Sequence, residues 1–243
     1  MLDIDIVSIN RGLDEYKELF KLVFEEGGFI SGGYAIYCLA EIGDHKFSDI
    51  DIFFKTPKTK KEICFITNKY FDYLKSNNIN ISYNKINTAN SMYFDIKMKQ
   101  TYGQNKNDLV PKYERTYMPN INFITNESFI GDPNDIISNF DLINCQCYID
   151  NFDFGVAHKD FLKLAFSKEL MFNENIKTTK HILNTVERII KYLNKGYSFK
   201  MENLAKFLLL IKESDFKLED YDESLLKKFI TINSDRPTEY IPF

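Results

Sequence analysis

Apolar residues recur three and four positions apart in several segments of the N-terminal half, and this spacing predicts amphipathic helices. In "DEYKELFKLVFEE" the apolar stripe consists of Tyr16, Leu19, Phe20 and Val23. The pattern continues in "YAIYCLAEI" and "KTKKEICFITNKYFDYLKSNN", and "DPNDIISNF" places a proline in the first turn of a capped helix. Gly27 and Gly28 follow the first of these helices, as glycines often do at a helix end.

Between the helices, short apolar or alternating stretches predict β-strands. These are "FIS", "SDIDIFF", "NISYNKI", "SMYFDIKMK", "INFIT" and "FDLINCQCYI". The polar segment from Gln100 to Asn120 contains glycine and two prolines, so we expect a long loop or flap there. After Asn151 the strand pattern fades and helical spacing dominates. The pattern therefore predicts a mixed α/β domain over residues 1–150 and a helical C-terminal region over residues 151–243.

The composition fits a soluble, cytoplasmic protein. The 243 residues are 44% hydrophobic, and the net charge of −4 offers no overall basic field for nucleic acid, although a local basic face stays possible. The four cysteines lack metal-ligand spacing and we expect them to pack as free thiols in a reducing compartment. No apolar run is long enough to span a bilayer, so we expect no membrane contact. The three histidines, His45, His158 and His181, are too dispersed to indicate a histidine site.

Two carboxylates interrupt the apolar strand "SDIDIFF". Side chains two residues apart face the same side of a strand, so Asp49 and Asp51 project together while Ile50 and Ile52 face the opposite side. Neighbouring carboxylates repel each other unless a positive charge lies between them. A hard divalent cation such as Mg²⁺ binds carboxylate oxygens and takes further ligands from water and phosphate. The alternative is a solvated strand edge with no function.

Upstream of this strand, Ser31, Gly32 and Gly33 connect a short strand to the start of a helix. Backbone N–H groups and the positive end of the helix dipole make such a turn suited to binding a phosphate group. A turn that binds phosphate followed by a carboxylate pair that binds metal indicates phosphoryl or nucleotidyl transfer.

The segment "SGG", a helix and "SDIDIFF" together resemble the signature of the polymerase-β-like nucleotidyltransferase superfamily, with a longer gap between turn and strand. The segments "NFDLINCQCYID" and "RIIKYLNKGY" are similar to nucleotidyltransferase-like proteins of phages and large DNA viruses. The resemblance implies that Asp49 and Asp51 bind two Mg²⁺ ions, with Mn²⁺ as a substitute. It also implies that Ser31 and the Gly33 amide contact the phosphates of an NTP such as ATP, and that Ser48 orients the loop.

The superfamily also uses a third carboxylate on a neighbouring strand, as metal ligand and general base. Two residues have the required form, an acid between apolar residues: Asp141 in "NFDLINC" and Asp95 in "YFDIKMK". We favour Asp141 as the third metal ligand and catalytic residue and keep Asp95 as the alternative. Either residue could instead be a strand-end aspartate that caps a turn.

The implied reaction is transfer of NMP from an NTP to a hydroxyl acceptor with release of pyrophosphate. The acceptor is an RNA 3′ end such as that of tRNA, a protein, or a small molecule. Arg188 and Lys191 belong to a polar stripe on a C-terminal helix, which is either a solvated face or a surface for triphosphate or RNA. The alternative function is a degenerate nucleotidyltransferase fold that binds a nucleotide or a protein without catalysis.

Overall fold

The structure is a computed structural model that describes residues 3–9, 12–40, 49–79, 81–98, 118–175 and 182–213. The chain divides into two compact units, Met1–Ser167 and Lys168–Phe243. Within the described residues, no helix combines the length and the apolar character that crossing a membrane requires.

The first unit is built on a mixed eight-stranded sheet. Its strands are β1 (Ile4–Ser8), β2 (Gly28–Ser31), β3 (Asp49–Phe54), β4 (Ile81–Asn87), β5 (Ser91–Met98), β6 (Asn120–Ile124), β7 (Cys147–Ile149) and β8 (Phe154–His158). Their order across the sheet is β1-β8-β7-β2-β3-β6-β5-β4. Neighbouring strands are antiparallel except β3 and β6, which run parallel. β2 and β3 therefore occupy the middle of the sheet, and β6 is the other neighbour of β3.

Five α-helices accompany the strands in the described part of this unit: α1 (Lys17–Glu25), α2 (Gly33–Ala40), α3 (Lys60–Ser76), α4 (Pro133–Ser138) and α5 (Phe161–Ser167). α3 begins with a reciprocal capping box between Thr59 and Glu62. α4 begins with Asp132 as its cap and Pro133 in the first turn, as the sequence predicts. One side of the sheet carries an aromatic core in which Phe94 contacts Phe71 of α3 and Phe123 of β6.

The second unit contains β9 (Glu169–Leu170), α6 (Ile182–Leu193), β10 (Ser198–Phe199) and α7 (Met201–Glu213). β9 and β10 form a short parallel pair. Phe172 packs against Phe207 of α7, and Lys200 forms an ion pair with Glu169 at 2.6 Å.

Several observed elements differ from the sequence prediction, including the short strands β9 and β10 in the region expected to be helical. β1 and β8 pair with each other at one edge of the sheet, although neither was predicted. Both strands belong to the compact unit Met1–Ser167, and the domain boundary expected at residue 150 stays a prediction. The predicted strand "FDLINCQCYI" is a strand only at Cys147–Ile149, because the preceding residues form a tight turn in which the Cys145 N–H donates to the Leu142 carbonyl.

All four cysteines are thiols, and Cys38, Cys145 and Cys147 are buried. Burial raises the pKa of the Cys147 thiol well above its ordinary value. These thiols therefore act as small apolar side chains of the core.

Candidate active site

β3 presents its two carboxylates on one side of the sheet. Ile50 and Ile52 are fully buried on the opposite side, whereas Asp49 and Asp51 are half-buried. The alternation of burial shows that the two aspartates share one face, as the period of a strand requires.

The turn between β2 and α2 lies directly against Asp51. Ser31 is in register with Asp51, and Gly32, with φ of +75°, leads into α2. A Cβ atom on Gly32 would come within 2.7 Å of the Asp51 carboxylate oxygen Oδ2. Glycine is therefore needed at position 32 for the left-handed backbone and for the close approach of this carboxylate.

Gly33 is the first residue of α2 and has different surroundings. A Cβ atom placed there would meet no atom of the described residues within 4 Å. The start of α2, where backbone N–H groups have no helical acceptor, thus has no described neighbour at Gly33 and lies next to Asp51.

Ser31 is fully buried, and its hydroxyl donates to the backbone carbonyl of Cys147 at 2.6 Å. This bond ties β2 to β7. Contact between the Ser31 hydroxyl and a phosphate, as the sequence resemblance implies, would require the bond to break.

Two asparagines of β6 accompany the two aspartates of β3. Asn120 is in register with Asp49, and Asn122 with Asp51. The Asn122 side-chain nitrogen donates to Asp51 Oδ1 at 2.7 Å. Sequence reasoning missed this residue, although a signal exists: "NINFI" repeats the polar–apolar alternation of "DIDIFF".

Asp95 lies on the same face of the sheet but on β5, so that β6 separates it from β3. It is in register with Asn84 of the edge strand β4, and its carboxylate is 3.9 Å from the Lys97 ammonium. Asp141 is buried and follows Phe140, whose ring contacts that of Phe53. Across the described ranges, no three acidic, histidine or cysteine side chains form a group that could hold a metal ion. The role of Asp141 or Asp95 as the third carboxylate therefore stays a prediction.

The remaining predicted residues belong to other parts of the chain. Arg188 and Lys191 are exposed on α6 of the second unit. Ser48 lies outside the described residues, as does most of the predicted flap. The roles of these residues stay predictions.

The fold is similar to the folds of solved CCA-adding and tRNA-processing enzymes. One similar structure is a CCA-adding enzyme in complex with ATP, with a TM-score of 0.55 and 13% identity over 98% of this chain and 52% of that chain. A tRNA-processing enzyme in an apo form gives a TM-score of 0.53 and 10% identity over 94% of this chain and 54% of that chain. These similarities confirm the predicted mixed α/β, nucleotidyltransferase-like fold. The chain spans about half the length of these proteins.

A family profile identifies the chain more specifically than the fold does. Residues 8–168 match the profile of the Gabija anti-defense 2 family, and the chain belongs to that family. The matched span nearly coincides with the first unit, which carries Asp49 and Asp51. Comparison with curated proteins gave no significant match.

Proposed function

We propose that this protein is a nucleotidyltransferase that moves NMP from an NTP to a hydroxyl acceptor and releases pyrophosphate. The observation that carries the proposal is the position of Asp49 and Asp51 on one face of β3, with the Asp51 carboxylate against the Gly32 turn at the start of α2. The nucleotidyltransferase-like fold supports the proposal.

The charges at this turn explain why a cation is needed. The start of α2 attracts the phosphates of an NTP through its N–H groups and dipole, whereas the adjacent carboxylates repel them. The oxygens of Asp49 and Asp51 are ligands that Mg²⁺ or Mn²⁺ accepts, and the buried Asn122 Oδ1 lacks a hydrogen-bond partner among the described residues. The residues present therefore fit a hard divalent cation.

The glycines and the aspartates of this site have separate roles in the proposed reaction. Gly32 accommodates the Asp51 carboxylate, the phosphates would bind at the start of α2 beside Gly33, and Asp49 and Asp51 would hold the cation. When bound, Mg²⁺ neutralises phosphate charge and lowers the pKa of the acceptor hydroxyl. In the proposed reaction the acceptor hydroxyl gives up its proton to solvent, its oxygen attacks the α-phosphorus, the bond from that phosphorus to the oxygen it shares with the β-phosphate breaks, and pyrophosphate leaves.

The similar structures suggest which substrates to test first. They include a CCA-adding enzyme with ATP and a tRNA nucleotidyltransferase with a primer tRNA and an ATP analogue, the latter with a TM-score of 0.50 and 10% identity over 88% of this chain and 55% of that chain. We therefore propose ATP as the first NTP and a tRNA 3′ end as the first acceptor. A protein or small-molecule acceptor remains part of the proposal, since the family is described by its action against Gabija defence.

A second function has its own support. Asn122, an uncharged residue, occupies the position beside Asp51 on the neighbouring strand, and the described residues form no three-carboxylate cluster. Such a site would favour a protein that binds an NTP or a partner protein without transferring a nucleotide.

Label transfer distinguishes the two functions. The protein is incubated with each α-³²P-labelled NTP, Mg²⁺ or Mn²⁺, and tRNA, total RNA or cell lysate. Transfer to an acceptor that is lost in Asp49→Ala/Asp51→Ala and retained in Asp72→Asn, a change on the exposed face of α3, supports the transferase. NTP binding without label transfer supports the binding protein, and failure to bind any NTP contradicts both nucleotide-based functions.

A further inference from the structure

Each asparagine of β6 is in register with one aspartate of β3, Asn120 with Asp49 and Asn122 with Asp51. The side-chain amides of the two asparagines form different hydrogen bonds. The Asn120 side-chain oxygen accepts from the Ile96 N–H at 2.9 Å, and its nitrogen donates to the Tyr93 hydroxyl. Asn120 therefore joins β6 to β5 with both ends of its amide. The Asn122 nitrogen donates to Asp51, whereas its oxygen is buried and has no hydrogen-bond partner among the described residues.

An unsatisfied buried acceptor such as Asn122 Oδ1 destabilises the folded protein, so native proteins keep few of them and each needs an explanation. The atom belongs to the amide that contacts Asp51, and it lies at the end opposite the nitrogen that makes this contact. Asparagine carbonyl oxygens are established ligands of hard divalent cations alongside carboxylates.

The amide can exchange its two ends by a half-turn about its terminal bond. In the present orientation the nitrogen faces Asp51 Oδ1, which suits a carboxylate without a cation. The opposite orientation would place two oxygens side by side. That arrangement is unfavourable alone and becomes favourable when a cation lies between them.

We propose that Asn122 is a cation ligand: its side-chain oxygen joins Asp49 and Asp51 as the third protein ligand of one divalent cation. Without the cation the amide donates to Asp51, and with the cation it turns to present Oδ1. The inference rests on the proposed function only in locating the cation at this carboxylate pair. Two carboxylates and one neutral amide carry a charge of −2, which one divalent ion balances, so a second ion requires the charge of the triphosphate.

Mn²⁺ titration, monitored by the EPR signal of the free ion, tests how many ions bind and whether Asn122 is a ligand. We expect one ion per wild-type chain without nucleotide, and none at this site in Asp49→Ala/Asp51→Ala. Asn122→Ala is expected to weaken binding by about 10-fold or more. Asn122→Asp, which adds a charged oxygen, is expected to tighten it. Asn87→Asp is the matched control, because Asn87 is exposed and in register with Met92, on the other face of the sheet.

A rescue variant separates a ligand from a residue that merely positions Asp51. Asp51→Asn alone removes one carboxylate and should weaken Mn²⁺ binding. Adding Asn122→Asp restores two carboxylates and one amide with their positions exchanged, and should recover most of the lost affinity. Mg²⁺ should also shift the Asn122 side-chain amide resonance of the wild type, identified by its absence from the spectrum of folded Asn122→Asp.

Unchanged affinity in folded Asn122→Ala, or no rescue in the exchanged pair, would overturn the assignment of Asn122 even if the wild type transfers NMP. Absence of Mn²⁺ binding to this site would overturn it as well. Conversely, one bound ion with the expected effects of Asn122 variants, but no label transfer with any NTP, would uphold the ligand and contradict the proposed transferase.

Discussion

Two aspartate–asparagine pairs lie on the same face of the sheet, in different regions. Asp51 and Asn122 pair in register on β3 and β6, in the interior of the sheet. Asp95 and Asn84 pair in register on β5 and β4, at its edge. The central pair shares a 2.7 Å hydrogen bond and touches the Gly32 turn, whereas Asn84 is exposed and Asp95 lies near Lys97.

The difference between these regions shows that residue type alone does not define a site. At the edge, water and a lysine are available to the carboxylate, and electrostatic contacts are worth little there. In the interior, Asp51 adjoins a second aspartate, an amide and a helix start, so that a cation gains several oxygen ligands at once. The central region therefore has the arrangement of oxygen ligands that binding of a divalent cation requires.

The largest expected effect is the loss of transfer when the central carboxylate is neutralised. Asp51→Asn should lower the rate of NMP transfer about 10³-fold, because metal-assisted stabilisation supplies several kcal/mol and about 1.4 kcal/mol corresponds to tenfold. Asp95→Asn should change the rate little, since β6 separates it from β3. Single-turnover assays measure both. A comparable loss in Asp95→Asn would identify Asp95 as the third carboxylate and would remove the contrast between the two regions.

A second effect concerns the turn that distinguishes the central region. Gly27→Ala and Gly32→Ala both force an L residue into the left-handed region, at about 1–2 kcal/mol. Gly32→Ala also drives a Cβ against Asp51, whereas no atom of the described residues lies within 4 Å of a Cβ added at Gly27, so Gly32→Ala should cost about 1–3 kcal/mol more. Urea unfolding measures the difference. Equal losses in the two variants would show that the carboxylate does not require glycine.

A third, smaller effect compares the two asparagines in stability. Asn122→Ala should lower the free energy of unfolding by about 1 kcal/mol, because the charged, half-buried Asp51 loses a hydrogen bond, and removal of the unsatisfied Asn122 Oδ1 offsets only part of that loss. Asn84→Ala should remain within about 0.5 kcal/mol of the wild type, as expected of an exposed position. Both values come from urea unfolding in EDTA. If the two variants lose the same stability, the Asn122 bond contributes no more than a surface contact.

The smallest expected effect is a pH dependence of stability caused by His158, which lies toward the edge of the sheet opposite β4. Burial lowers the pKa of His158, at the end of β8, below its ordinary 6.5, although Asp160 opposes the shift. The unfolded chain therefore takes up this proton at higher pH than the folded protein. The contribution of neutral His158 to stability is complete above about pH 6.5 and falls as the pH drops below that value. Urea unfolding at about pH 7.5 and about pH 5.5 should show a smaller difference in His158→Gln than in the wild type. An equal difference would contradict the role of His158.

Much of the fold was predictable because its signals are local. The stripe of α1, the cap of α4 and the alternation of β3 follow from periodicity and turn chemistry over a few residues. β1 and β8 were missed because each is short and is defined by pairing with a strand distant in sequence. Similarly, Cys145 lies in a turn because its backbone N–H finds a local acceptor, which strand alternation does not reveal.

The sequence by itself determined that Asp49 and Asp51 face the same way and that a glycine turn precedes them, because both follow from backbone periods. Only the tertiary structure decided which strand adjoins β3, since strand order depends on long-range hydrogen bonding. That order places Asn122 beside Asp51 and moves Asp95 one strand further away. It also brings the Asp51 carboxylate against Gly32, so that the glycine accommodates a neighbour from another strand as well as a turn.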